Sequence, residues 1–110
     1  MSVVVSPTAQ ADVVATALWY EQQPGRHGDA FNDAVRDAIR AIGSAPQRFP
    51  LVEDGVPKRE IREFFIERFR RRVIYQVNGN DVLVLAVVHA SRRPGAWHRN
   101  IPTDPPAETP

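Results

Sequence analysis

From Arg72 to His89 the chain alternates in character twice, with a polar break between the two runs. Arg72 to Val77 reads charged, apolar, apolar, aromatic, polar, apolar; Asn78-Gly79 follows, and Val82 to His89 is almost wholly apolar. A period of two is the mark of a strand. Asn-Gly tolerates the positive φ of a tight turn, so the pattern predicts a hairpin with strands from near Phe69 to Val77 and from Val82 to His89. Simple alternation places Val73, Tyr75 and Val77 on one face with Val82, Val84, Ala86 and Val88, the expected core side. Arg72, Ile74 and Gln76 then share the other face with Leu83, Leu85, Val87 and His89. That second face is half apolar, half polar, and rimmed by arginine: the floor of a site or the seat of a partner segment.

Upstream the period changes. Val3–Val5 is a short β-branched strand stopped by Ser6-Pro7, where Ser6 suits an N-cap and Pro7 a first helical turn. A helix is predicted from Thr8 to about Gln23, with Ala11, Val14, Leu18 and Ala15 as its apolar face. A second opens near Asp29 and repeats Phe31, Val35, Ala38, Ile39 and Ile42 at helical spacing, with Gly43 as its stop. The short turn between them predicts an antiparallel helix hairpin. Ala45–Pro57, with three prolines, reads as a loop, and Lys58–Ile66 as a further strand turning at Glu67-Arg68. From residue 100 onward the text is proline-rich and reads as a disordered tail, leaving residues 1–99 as a single domain.

Composition narrows the class. The 110 residues carry no cysteine, so neither a disulfide framework nor a thiolate metal site is available. Three scattered histidines without a carboxylate cluster make a poor metal site, and no metal or other cofactor is expected. No apolar stretch approaches the ~18 residues of a membrane span, and the start resembles a strand, not a signal peptide. A cytoplasmic protein is expected. The net charge of +1 hides a strong asymmetry. Residues 58–99 hold ten basic against four acidic side chains, whereas residues 1–57 hold four against seven. The basic residues gather at Arg70-Arg71-Arg72 and at Arg92-Arg93 with Arg99, two clusters that flank one hairpin and so come together at its open end. Such a patch suits a polyanion, either nucleic acid or an acidic protein segment.

Several phrases, in this order, resemble the RelE/ParE superfamily of toxins from bacterial type II toxin–antitoxin modules, which includes plasmid-stabilisation proteins. They are V-V-S-P-x-A at Val4–Ala9, A-P-x-R-F-P at Ala45–Pro50, R-V-I-Y-Q-V at Arg72–Val77, V-L-A-V-V-H-x-x-R-R-P at Val84–Pro94, and W-x-R at Trp97–Arg99. One departure is Phe69-Arg70-Arg71 where the family often reads F-P-Y. The resemblance implies an α+β fold: an N-terminal antiparallel helix hairpin packed on a small twisted, mostly antiparallel sheet. It implies a growth-inhibiting toxin neutralised by a cognate antitoxin, with a toxin–antitoxin hetero-oligomer as the assembly. The target it implies is DNA gyrase for ParE-like members, toward which the long helices lean, or mRNA on the ribosome for RelE-like ones. A non-toxic member that only binds its antitoxin is a third reading.

Only the mRNA reading makes the chain an enzyme, a metal-independent endoribonuclease. That chemistry needs a base, an acid and cations for the phosphorane charge. The resemblance assigns these roles to Arg72, Arg92 and His98, with Lys58, Arg59 and Arg62 as further basic residues. Arg70, Arg71, Arg93, Trp97 and Arg99 join Lys58, Arg59 and Arg62 as target contacts, and Trp19, Ile74, Leu83 and Leu85 as antitoxin contacts. Arg72 and Arg92 read equally well as partners of acidic antitoxin side chains, and Trp97 as a cap over the sheet.

Overall fold

The computed structural model describes residues 2–103. Its elements are β1 (Ser2–Val5), α1 (Pro7–Gln22), α2 (Gly28–Ser44), β2 (Glu60–Ile66), β3 (Arg71–Asn78) and β4 (Asp81–His89). Single 3-10 turns lie at Pro46–Arg48, Glu67–Phe69 and His98–Asn100. The four strands form one sheet in the order β1-β4-β3-β2. β1 runs parallel to β4, and the other pairings are antiparallel. The helix hairpin covers one face, so the architecture is α+β as the pattern suggested.

Ser6 caps α1, its Oγ accepting the Ala9 N–H at 3.1 Å, with Pro7 in the first turn. Phe31, Val35, Ala38 and Ile42 of α2 are buried against Val73, Tyr75, Val77, Val82 and Val84 of the sheet. Burial of this kind is worth roughly 1.5–3 kcal/mol for each large apolar side chain. Tyr75 is wholly buried and donates its hydroxyl to the Pro46 carbonyl at 2.5 Å, fixing the loop after α2 to the sheet. At the hairpin the two turn residues are Gly79 and Asn80, one step beyond the expected Asn78-Gly79. Gly79 has φ +61° and Asn80 does not take a positive φ, the pattern of a turn with glycine leading.

Two expectations are corrected here. The first concerns β4. Ile74 pairs with Ala86 but Tyr75 pairs with Val84, so Leu85 is an extra residue, a β-bulge. The bulge shifts the alternation by one. Val87 therefore faces the helices, and Ala86 and Val88 face away, the reverse of the simple pattern. The Leu85 carbonyl accepts the Asn100 side-chain N–H at 3.0 Å. Past the end of β1, the Val87 N–H is taken up by the Asp12 carboxylate of α1 at 3.0 Å.

The second correction concerns α1. The expected inner face of Ala11, Val14, Ala15 and Leu18 points outward, with Val14 67% and Leu18 57% exposed. The inward side chains are Ala9, Val13, Ala17 and Tyr20. Apolar residues are spread around this helix among Thr8, Gln10, Asp12, Thr16, Glu21 and Gln22, so periodicity does not choose a face. Two contacts do choose it. Asp12 must reach the Val87 amide, and Gly28 packs so closely on α1 that a Cβ there would meet the Ala17 carbonyl at 2.8 Å.

The outer face of the sheet is not open. Trp97 (2% exposed) lies on Ile61, Ile74, Leu85, Ala86 and Val88, and Ile101, Val52 and Val56 close the rim. The folded segment thus runs on through Asn100 and Ile101, into what the composition assigned to the tail. The remainder of that expected tail, 104–110, lies outside the described residues. No helix among them is long and apolar enough to cross a membrane.

Candidate functional site

Arg72, the second residue of β3, lies on the outer face and is held on two sides. Its Nε donates to Glu63 Oε1 at 2.7 Å, and its Nη1 and Nη2 donate to the two oxygens of Asp54 at 3.0 and 2.6 Å. This fork-to-fork pair fixes direction as well as charge. Asp54 also accepts the Gly95 N–H at 2.9 Å and the Trp97 indole N–H at 2.8 Å. The side chains are only 14% and 12% exposed. The hydrogen bonds from Arg72 above all hold the Asp54 carboxyl well below the usual carboxylate range, and those from Gly95 and Trp97 add to the effect. The same bonds push the Arg72 guanidinium above its ordinary value, against its own desolvation.

Asp54 is the residue that pattern reading overlooked. It sits in a proline-rich loop, and its partners are 18, 41 and 43 residues away, beyond any local periodicity. The Glu53-Asp54-Gly55 run carries only a turn signal.

Arg72 and Arg92 line one concavity of about 580 Å³, together with Leu51, Glu53, Asp54 and Pro94. His98 does not line it. Its Nε2 meets the Asp54 backbone carbonyl, and its ring stands edge-on to Trp97, 4.7 Å between centroids. Of the other basic candidates, Arg62 bonds Glu60 at 2.7 Å and the Phe49 carbonyl at 2.6 Å, and Arg59 bonds Gln76 at 2.9 Å. Lys58 is exposed at a positive φ of 67°. Trp97 is buried under its own segment. Of the four antitoxin candidates, Trp19 is 53% exposed, Leu83 is half-buried, and Ile74 and Leu85 are covered.

Arg92 and Arg99 line a second concavity of about 390 Å³ with Thr8, Asp12, Trp97 and Asn100. Burial pushes the Asp12 carboxyl up, while the Val87 N–H and the charges of Arg92 and Arg99 pull it down. Arg93 is exposed beside them. Arg71 pairs across the ladder with His89, and the Ala90 N–H donates to the Arg70 carbonyl at 2.8 Å, so both arginine clusters reach the same end of the hairpin. Among the described residues no group of three or more His, Asp or Glu side chains is placed to hold a metal ion.

The family described as "ParE toxin of type II toxin-antitoxin system, parDE" matches residues 3–94. The chain belongs to the ParE toxin family. A solved structure, "Chromosomal ParDE TA system from P. aeruginosa", shares the fold of this ParE-family chain with a TM-score of 0.68 at 20% identity. The match covers 83% of this chain and 97% of that one. No curated protein matches at a significant level. The departures of the ParE-family chain from plain alternation, the bulge and the Trp97 cover, lie within or just beyond the matched span.

Proposed function

We propose that the chain is the toxin of a two-protein module, that it arrests growth by binding DNA gyrase and not by cutting RNA, and that its antitoxin neutralises it by seating along the outward face of α1. The state of Arg72 carries the first half. Metal-free cleavage needs a cation free to meet the phosphorane and a positioned proton donor. Arg72 is already saturated by Asp54 and Glu63, and His98 is turned onto a backbone carbonyl outside the concavity shared by Arg72 and Arg92. What the molecule offers a target is therefore a surface: the arginines at the hairpin's open end. Val14, Leu18 and Trp19, exposed along an α1 face without charge, support the antitoxin seat.

The test is induction of the toxin with and without its antitoxin. Gyrase-bound cleaved DNA and an SOS response are expected, with transcripts intact by primer extension and toxicity unchanged in His98→Ala. Transcript cuts that disappear in His98→Ala would instead establish the nuclease. Unaffected growth would leave a protein that only binds its partner.

A further inference from the structure

The turn between β2 and β3 carries a cluster that the Arg72 network does not use. Arg68, Arg70 and Arg71 form no ion pair among the described residues. Glu67 is the sole acid between Glu63 and Asp81. Each guanidinium lies over a ring: Arg68 over Phe69 at 5.0 Å, Arg71 over Tyr20 at 5.6 Å and Arg70 over Phe65 at 5.8 Å. Two of these rings belong to one group, since Tyr20 meets Phe69 at 4.9 Å and the half-exposed Trp19 at 5.1 Å, whereas Phe65 stands on the outer face with Arg72. A guanidinium backed by an aromatic face is held flat and leaves its other face open for stacking.

Two further observations point to the same place. Arg70 adopts the left-handed conformation, with φ +50° and ψ +49°, which costs a side-chain-bearing residue roughly 1–2 kcal/mol. Glycine or asparagine would hold that turn with less strain, and the turn presents the exposed Arg70 side chain between β2 and β3. His89 sits across the ladder from Arg71, its Nδ1 accepting the Ser91 N–H at 3.0 Å. Its imidazole is held below its usual range by desolvation and then by the charges of Arg71 and Arg70.

Exposed cations beside an exposed indole match a nucleic acid whose bases are unpaired, because phosphates take the guanidinium charge and a base can stack on Trp19. An acidic protein segment would use the charge and leave the rings idle. We propose that Arg68, Arg70 and Arg71, with the exposed Trp19, form a binding site for a single-stranded nucleic-acid segment. This refines the target reading for one part of the surface, and it is tested by direct binding, which can fail while gyrase poisoning stands.

The probe is a labelled oligo-dT strand, titrated by fluorescence anisotropy with the full chain at about 50 to 200 mM salt. Three neutralised phosphates predict a log–log salt slope near −2, at about −0.7 for each on a single strand. Arg68→Gln/Arg70→Gln should cut the slope by more than half and weaken binding at least about tenfold at the lower salt. Arg71 is left in place in that variant because it also bonds the Phe69 carbonyl; circular dichroism verifies its fold. Trp19 fluorescence should be quenched on binding, and the quenching should vanish in Trp19→Phe, because Trp97 is buried. Undetectable binding, an unchanged slope in the double variant, or loss of binding only on replacing Arg92, Arg93 and Arg99 would overturn the site. Equal competition by a polyglutamate of matched charge would reassign it to an acidic protein.

Discussion

Replacing Asp54 by asparagine tests the centre of the outer face. The change keeps the shape and removes one charge. Asparagine has one acceptor oxygen where the carboxylate has two, and its amide would point hydrogens at a guanidinium that is itself only a donor. At least one of the Arg72 bonds, at 3.0 and 2.6 Å, is lost outright, and the indole and Gly95 bonds lose their charge assistance. Hydrogen bonds to charged groups contribute about 1.5–3 kcal/mol each. Breaking a fully buried ion pair costs about 3–5 kcal/mol. Because these side chains retain 14% and 12% exposure, and Glu63 still holds Arg72, the expected loss is about 2–4 kcal/mol. For a domain of this size that lowers Tm by roughly 10–20 °C.

The pH dependence gives a second handle on the same residue. The folded carboxyl is depressed beneath its ordinary value of 3.8, so the unfolded chain binds its proton first as the solution is acidified. The stabilisation is complete above that value and fades as the pH falls toward the depressed one. Thermal melts of both proteins, followed by near-ultraviolet circular dichroism of Trp97, should show a constant gap from neutrality to about pH 5 and a closing gap below about pH 4. A Tm shift under about 3 °C, or a gap unchanged at about pH 3, would refute the hub.

Tyr75→Phe leaves the buried Pro46 carbonyl without its hydroxyl and should cost about 1–2 kcal/mol by urea denaturation. Burial pushes the Tyr75 hydroxyl up to about 12, so its share of stability is present below 10.0 and lost as the pH rises through that window. The phenylalanine variant should lack that alkaline loss. Gly28→Ala forces a methyl to within 2.8 Å of the Ala17 carbonyl and should cost about 1–3 kcal/mol, read by the same denaturation. Val14→Ser with Leu18→Gln should leave stability within about 1 kcal/mol, because both are exposed. Calorimetry against the antitoxin should nevertheless show binding weakened at least about tenfold; unchanged affinity would move the seat away from α1.

Much of the scaffold was legible because its signals are local. The α2 repeat of Phe31, Val35, Ala38 and Ile42, the Ser6-Pro7 start of α1 and the turn at Gly79 depend on residues within a few positions of one another. α1 hid its orientation because Ala9, Val13 and Ala17 are no more apolar than Val14 and Leu18, and distant groups made the choice. The functional surface divides in the same way. Arg70, Arg71, Arg92 and Arg93 announce themselves as charge runs, and their meeting follows from the hairpin. That Arg72 is already satisfied was hidden, since its acceptor Asp54 comes from another loop and no spacing rule links them. Trp97 was open to two readings, and burial of its indole against Asp54 decides for the cap.

Leu85 lets a single strand work in two phases. Before it, Val82 and Val84 answer to the helices; after it, Val87 takes over that duty while Ala86 and Val88 serve the tryptophan lid. Were Leu85 drawn into the ladder instead of standing outside it, strict alternation would return and the last quarter of the ribbon would turn inside out. Val87 would swing under the indole, Ala86 and Val88 would confront α2, and the Asp12 tether would lose the amide it grips. A supernumerary amino acid is thus what assigns these side chains between the two interiors that the sheet divides.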